Sequence, residues 1–192
     1  MSIAYGGQKV TFADGSSISS GYTGFKNKLI NGNMAIDQRQ GGQVNITNPG
    51  NNVYTVDRWQ VNTGFTGSCG QNLGGVTPPA GFTNYLGITS SSAYSPSGTD
   101  LHFVYQSIEG YNVADLGYGT SNAKTVTLSF WVRSSLTGSF GAVVGNGTAW
   151  TYPFLYTISQ ANTWTQISVT VPGQTSGTWP TNNTAGFIVR FS

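Results

Sequence analysis

The chain has 192 residues, enough for one full-sized domain and an appendage. Only 7% of the residues are charged, against about 25% in an ordinary soluble domain, and the formal net charge is +2. The few Lys and Arg residues form no basic stripe, which argues against binding to nucleic acid or to an anionic membrane. Aromatic residues make up 13% and glycines number 27, a composition typical of an all-β protein with frequent turns.

Targeting and redox signals are sparse. Cys69 is the only cysteine, so we expect no intrachain disulfide and no cysteine-based metal site. The first ten residues lack the charged and then apolar pattern of a secretory signal, and no apolar run approaches the ~20 residues of a membrane span. The sequence therefore predicts synthesis in a cytoplasm without a signal peptide.

Residues 1–26 read as an extended attachment segment. Val10 to Ala13 is a short strand-like run, and Asp14-Gly15 is a strong turn signal. Residues 16–24 have the composition of a flexible linker. Such a segment builds no core of its own, so it either docks onto another protein or the body of the domain, or stays disordered.

Residues 27–40 and 54–60, here called the opening motif, begin the body of the chain. Lys28 to Ile30 is strand-like, Asn31-Gly32 predicts a turn or bulge, and Val44 to Ile46 is a further short strand candidate. Tyr54 to Trp59 reads as one strand, with Tyr54, Val56 and Arg58 on one face.

The opening motif also holds a charge cluster, Asp37, Arg39, Asp57 and Arg58, in a chain with few charges. We expect half-buried Asp–Arg pairing that fixes the register of two neighbouring strands, an arrangement that is costly to break. The alternative is a cation site at Asp37 or Asp57. Calcium takes six to eight oxygen ligands and two scattered carboxylates supply few of them, so we predict no metal.

The rest of the chain predicts an all-β sandwich or jelly-roll domain over residues 27–192. Residues 62–100 are mostly loop around a strand at Tyr85 to Ile88, and residues 111–119 form a helical turn or a loop. Lys124 to Arg133 alternates apolar and polar residues along its whole length. Strong patterning up to Ser192 predicts that further residues belong at the C-terminus. The remaining strand candidates are His102 to Ile108, Ser139 to Val144, Thr151 to Ile158, Trp164 to Val171 and Ala185 to Phe191.

Catalytic signals are weak. The chain has six acidic residues and one histidine, and Asp100 and His102 lie two apart without a specific partner. Asp100, Glu109 and Asp115 could be nominated as a glycosidase pair, but nothing around them marks such a role. Phosphate-binding loops, zinc-protease and dinucleotide motifs are missing. We predict a non-enzymatic protein without a cofactor.

Binding of sugars is better supported, because aromatic side chains stack on the apolar faces of sugars. The candidates are Trp131, Trp150, Tyr152, Trp164 and Trp179, with Asn146, Asn162 and Gln166 as flanking amides. The alternative is that these aromatic residues fill strands and the sandwich core. Trp131 and Trp164 lie opposite the apolar faces of their strands, so they are either exposed or covered by a neighbouring chain. Trp150 and Trp179 fall in predicted loops.

Several stretches resemble one family. Leu29 to Asn33, Gln38-Arg39 and Tyr54 to Trp59 are similar to the opening of bacteriophage tail-fibre and related virion proteins, especially from phages of cyanobacteria and other marine bacteria. Residues 125–140, 162–164 and 171–179 resemble their jelly roll, which is similar to carbohydrate-binding modules, and residues 10–17 resemble a short segment near the start of phage fibre domains.

The resemblance implies a homotrimeric virion appendage located on the tail or another external part of the particle. Residues 1–26 would contact other virion proteins, and the jelly roll would face outward and bind a host-surface glycan. Three alternatives stay open: a capsid decoration protein, a tail adaptor with the same fold and no receptor, and a free carbohydrate-binding module. The missing signal sequence counts against the last.

Overall fold

In the computed structural model the protein is almost entirely β. The structure describes residues 10–11, 13–15, 17–18, 27–46, 52–95, 97–98, 100–147 and 150–192. Among these residues no helix has the length and apolar character needed to cross a membrane. The strands are β1 (Val10–Thr11), β2 (Ser17–Ile18), β3 (Gln43–Ile46), β4 (Val53–Tyr54), β5 (Gln60–Asn62), β6 (Gly67–Gln71), β7 (Leu86–Ser90), β8 (Phe103–Glu109), β9 (Val126–Val132), β10 (Gly138–Gly145), β11 (Thr151–Ile158), β12 (Thr165–Val171) and β13 (Ala185–Phe191).

The first layer of the sandwich is one antiparallel sheet in the order β11-β10-β13-β8-β5-β4. The second layer consists of two separate sheets, the pair β12-β9 and the three-stranded sheet β3-β6-β7. A one-turn helix, α1 (Gly110–Val113), and a 3₁₀ turn at Ala114–Leu116 follow β8. A small hairpin, β1-β2, precedes the sandwich in the chain.

The core lies between the layers because each strand turns its apolar residues inward. One cluster joins Leu128 of β9 and Val171 of β12 to Val144 and Val189 of the first layer. Another joins Ile46, Val61 and Cys69, which lie on β3, β5 and β6, and therefore covers the other half of the first sheet. The contacts of both clusters across the layers confirm the predicted all-β sandwich.

The alternating strands were predicted well. β11 and β13 have the expected bounds, and β8, β9, β10 and β12 differ from expectation by one or two residues at their ends. On β9, Leu128 is buried whereas Thr127 and Ser129 are exposed, as period-2 alternation requires. The helical turn after β8 is also confirmed.

Three expectations were wrong. Lys28 to Ile30 is a loop, because Asn31 and Met34 adopt positive φ values of 53° and 55° and the chain turns there. Tyr54 to Trp59 is not one strand: Tyr54 ends β4, and residues 55–59 form the turn to β5, which is closed by the Thr55 N–H donating to the Trp59 carbonyl at 3.0 Å.

The third error concerns the linker predicted over residues 16–24. Ser17 and Ile18 pair with Thr11 and Val10 as β2, so this part of the segment is a strand. Asp14-Gly15 makes the expected turn, with Gly15 at φ 83°. The rest of the attachment segment lies outside the described residues.

Candidate functional site

The charged side chains of the opening motif contact other partners than those of the predicted Asp–Arg pairing. Asp57 accepts the Gln38 N–H at 2.6 Å, and Asp37 accepts the Gly42 N–H at 2.7 Å. The guanidinium of Arg39 lies 4.4 Å from the ring centroid of Tyr54, a cation–π contact. Both aspartates therefore hold main-chain turns.

The ion pairs among the described residues link the opening motif to the region after β8. Arg58 donates to Glu109 at 2.7 Å, and Lys28 pairs with Asp115. The hydrogen bond from Arg58 holds the pKa of Glu109 below its usual value. These two acids are thus engaged in structural contacts rather than facing each other across a cleft.

The loop Asn27 to Met34 is fixed to β8 by a buried amide. Gln106 is fully buried; its amide oxygen accepts the Ile30 N–H at 2.8 Å, and its amide nitrogen donates to the Ile30 carbonyl at 2.7 Å. Asn31 holds the next turn through bonds to the Ile36 main chain, and its own carbonyl accepts the Trp59 indole N–H. The asparagine-rich motif is therefore a docked loop.

Asp100 and His102 do not pair as a catalytic dyad. The Asp100 carboxylate accepts the Tyr94 hydroxyl at 2.6 Å and the Ser97 N–H at 2.7 Å, and the Tyr94 bond lowers the pKa of Asp100. The His102 Nδ1 accepts the Gly64 N–H at 3.0 Å. Both groups are used to hold neighbouring loops in place.

The five aromatic candidates divide into two groups. Trp150, Tyr152 and Trp179 meet at one end of the sandwich, around buried Tyr118; we call these four residues the end cluster. The Trp150 and Trp179 ring centroids are 5.4 Å apart, and the Tyr118 and Trp179 centroids are 4.7 Å apart. Burial raises the pKa of Tyr118 to about 12.

Two loops assemble the end cluster. The β10–β11 turn carries Trp150, whose N–H donates to the buried Asn146 side chain at 3.0 Å. The loop between β12 and β13 carries Trp179, whose indole N–H donates to the Ser176 carbonyl at 3.3 Å. Trp150, Tyr152 and Trp179 are half-buried, so each rests on the core while part of it reaches solvent.

Sequence reasoning missed Tyr111, which lies at the same end of the molecule. Its N–H donates to the Asn182 carbonyl in the loop that carries Trp179, and its side chain is 69% exposed. A single tyrosine in a helical turn has no pattern that marks it. Only the observed turn geometry identifies this residue as an exposed aromatic beside the end cluster.

Trp131 and Trp164 lie elsewhere, at a cavity of about 740 Å³ between the two sheets of the second layer, here called the interlayer cavity. The Trp164 indole N–H donates to the Thr77 carbonyl at 2.9 Å, and its ring meets Tyr85 edge-on. Both tryptophans are half-buried. The sequence predicted that they are either exposed or covered by a neighbouring chain, but Trp164 is covered by residues of its own chain. Gln166 also lines the cavity, whereas Asn162 lies elsewhere, where its main-chain carbonyl accepts a hydrogen bond from the Arg133 side chain.

Among the described residues no group of three or more His, Cys, Asp or Glu side chains is arranged to hold a metal ion. Searches against protein-family models, curated proteins and solved structures find no match for this chain.

Proposed function

We propose that this chain is a non-enzymatic component of a bacteriophage virion, most simply a tail-fibre part that attaches the particle to host-surface glycans. The observation that carries the proposal is the grouping of Trp150, Tyr152 and Trp179 at one end of the sandwich, where exposed Tyr111 lies on a turn that is hydrogen-bonded to the loop carrying Trp179. The resemblance of the opening motif to phage fibre proteins supplies the biological setting.

The chemistry of this end suits a sugar. A pyranose ring offers an apolar face that stacks on an aromatic ring and a rim of hydroxyls that needs hydrogen-bonding groups. Tyr111 is exposed next to the exposed amides Asn112 and Asn182. Lys28 and Glu109 also contact Asn112, and each of these two charges is neutralised by its own ion pair, with Asp115 and Arg58 respectively. Binding would depend on stacking and on neutral hydrogen bonds, so we expect it to depend weakly on salt.

The wider proposal follows the resemblance. The protein assembles as a homotrimer, residues 1–26 contact other virion proteins, and the end cluster faces away from the particle. The same fold would also serve a capsid decoration protein or a tail adaptor without a receptor, and the location of the chain on the particle separates these roles.

The binding test uses Tyr111→Ala and a matched control. Trp150 and Trp179 pack against the core, so replacing either one by Ala would also destabilise the fold. Tyr111 is 69% exposed and can be truncated without opening the core; Leu136 is 68% exposed and lies before β10, at the opposite end of that strand from Trp150. The probe is an array of bacterial surface polysaccharides.

We expect the unmodified protein and Leu136→Ala to bind the same glycans, and Tyr111→Ala to lose about five- to tenfold in affinity, since the stacking contact of one aromatic ring is worth about 1–1.5 kcal/mol. Equal binding by both variants would rule out this end as the site. Imaging of the intact virion completes the test: a chain distributed over the capsid lattice would favour the decoration role.

A further inference from the structure

The second layer of the sandwich is divided into two sheets, and β9 of one sheet and β7 of the other both line the interlayer cavity. β9 pairs with β12 on one side, and β7 pairs with β6 on one side. Within the described residues the other edge of each strand pairs with nothing. Residues of both strands line the same cavity of about 740 Å³.

The lining residues show whether the cavity lies on a face of β9 or along its edge. All seven residues from Val126 to Val132 contribute to the wall. Successive side chains of a strand point to opposite faces, so a cavity on one face would touch only alternate residues. Contact with every residue places the cavity along the edge of β9, where alternate residues direct their N–H and C=O groups.

The lining of the cavity is apolar on its floor and carries almost no charge elsewhere. The floor is the apolar face of the first layer, with Val104, Val189 and Phe191. Phe82, Trp131 and Trp164 also line the cavity, on the elements of the second layer and its loops. Lys28 is the one charged lining side chain among the described residues, and it is paired with Asp115.

We propose that the interlayer cavity is a docking slot for an extended strand of another polypeptide, which adds to the open edge of β9 and completes the second layer. The strand would place apolar side chains on the floor at alternate positions. It would be uncharged, because the lining offers no free charge to pair with one. The seven residues of β9 set its length at five to seven residues, up to about 23 Å.

The open backbone edge selects this occupant over others. A row of N–H and C=O groups is matched by the backbone of a strand, which is how sheet edges recognise extended peptides. An acyl chain would fill the apolar space and leave those groups unpaired. A second copy of this chain is disfavoured because each of its described strands is already held in a sheet, whereas the slot takes one strand that is not part of a sheet.

The test uses two synthetic seven-residue peptides of identical composition. One has valine at alternate positions with threonine, serine and asparagine between; its isomer has the valines contiguous. With the alternating peptide at about ten times its Kd we expect the Tm to rise by roughly 3–5 °C. Amide hydrogen exchange should slow at alternate residues of β9. The isomer should do neither, and equal effects of both peptides would overturn the proposal.

A pair of variants locates the binding. Val104→Phe fills the floor of the slot and should abolish the effects of the peptide. Val143→Phe makes the same change on the first layer but on its other face, because the neighbouring core residues Ala142 and Val144 point inward. This variant should preserve the effects of the peptide. Peptide binding that survives Val104→Phe would overturn the proposal.

Two controls address the other occupants. Laurate is the apolar probe: a rise in Tm with laurate and none with the alternating peptide would assign the cavity to an apolar small molecule. Sedimentation of the unmodified protein and of Val104→Phe tests self-association. Concentration-dependent assembly that Val104→Phe abolishes would make a second copy the occupant. Either result would overturn the proposal, whereas failure of glycan binding at the end cluster would leave it unaffected.

Discussion

At the scale of single residues, the aspartates of the opening motif act as acceptors for main-chain N–H groups. Asp57 holds the Gln38 N–H, and Asp37 holds those of Gly41 and Gly42. A carboxylate that accepts main-chain bonds fixes the path of a loop, whereas the sequence suggested a pair that fixes strand register. The arginines of the motif contact other partners, Tyr54 and Glu109.

Because the aspartates and the arginines of the motif make different contacts, we expect two alanine substitutions to lower the free energy of unfolding by unequal amounts. Asp57→Ala removes the acceptor of the Gln38 N–H and should lower the free energy of unfolding by about 1–2 kcal/mol. Arg39→Ala removes an exposed contact with Tyr54 and should cost about 0.5 kcal/mol. Urea unfolding measures both, with Asp57→Asn as the control that keeps an acceptor. A larger loss for Arg39→Ala would contradict the assigned roles.

Cys69 gives a second prediction at this scale. The residue is fully buried on β6, and burial raises the pKa of its thiol to about 11 from 9.0. At pH 8 the thiolate fraction falls about a hundredfold, and the thiolate is the reactive form. Modification by a disulfide reagent should therefore be slow in the folded protein and fast in urea. Rapid modification without denaturant would show that β6 opens readily.

At the scale of elements, β6 shows why some strands escaped detection. Its sequence, from Gly67 to Gln71, lacks apolar alternation and reads as a loop. Its glycines are needed because neighbouring backbones approach closely: a Cβ on Gly67 would lie 2.2 Å from the Thr89 carbonyl oxygen. Close approach replaces side-chain packing here, and no local pattern reports it. Where side chains do alternate, as on β9 and β13, period 2 identified the strand.

Gly70 and Gly141 provide a matched test of this explanation. A Cβ on Gly70 would lie 2.5 Å from the Gly42 carbonyl oxygen, whereas nothing lies within 4 Å of a Cβ on Gly141 in β10. Gly70→Ala should lower the free energy of unfolding by roughly 1–3 kcal/mol. Gly141→Ala should be neutral or stabilise by up to about 1 kcal/mol. Similar values in thermal unfolding would mean that β6 and β3 can move apart at little cost.

The candidate site was only partly predictable, for a related reason. The sequence supplied the five aromatic candidates but could not sort them, because contacts between loops distant in the chain decide their positions. The connection between β10 and β11 and the loop of residues 172–184 bring Trp150 to Trp179. Trp164 instead meets Tyr85, which is far away in sequence. Tyr111 had no sequence signal, and its importance comes entirely from its exposure at the end of the sandwich.

At the scale of the whole molecule, ionic contacts tie the opening motif to the end of β8. Arg58 and Glu109 are 51 positions apart in the chain, and Lys28 and Asp115 are 87 apart. In a chain with 7% charged residues these pairs add to the apolar packing of Leu29 against the core cluster that contains Val113 and Leu116. They also make part of the stability depend on pH.

The pH dependence follows from the direction of the Glu109 shift. Its pKa is lowered in the folded protein, chiefly by the hydrogen bond from Arg58, so the folded state favours the charged carboxylate. The resulting stabilisation is present above the ordinary carboxyl pKa of about 4.3 and is lost as the pH falls through the lowered value. Glu109→Gln should lower the Tm at pH 7, and the difference from the unmodified protein should shrink below about pH 4. A difference that stays constant down to pH 2 would contradict this linkage.

The buried contact between Gln106 and Ile30 also constrains the order in which the protein can fold. The two residues are 76 positions apart, so at roughly 5–20 residues per second the ribosome needs about 4–15 s to add β8 after Ile30. During that interval the first recognisable motif of the chain has no partner to dock on. The loop from Asn27 to Met34 is therefore made early and can dock on Gln106 only after β8 has been added.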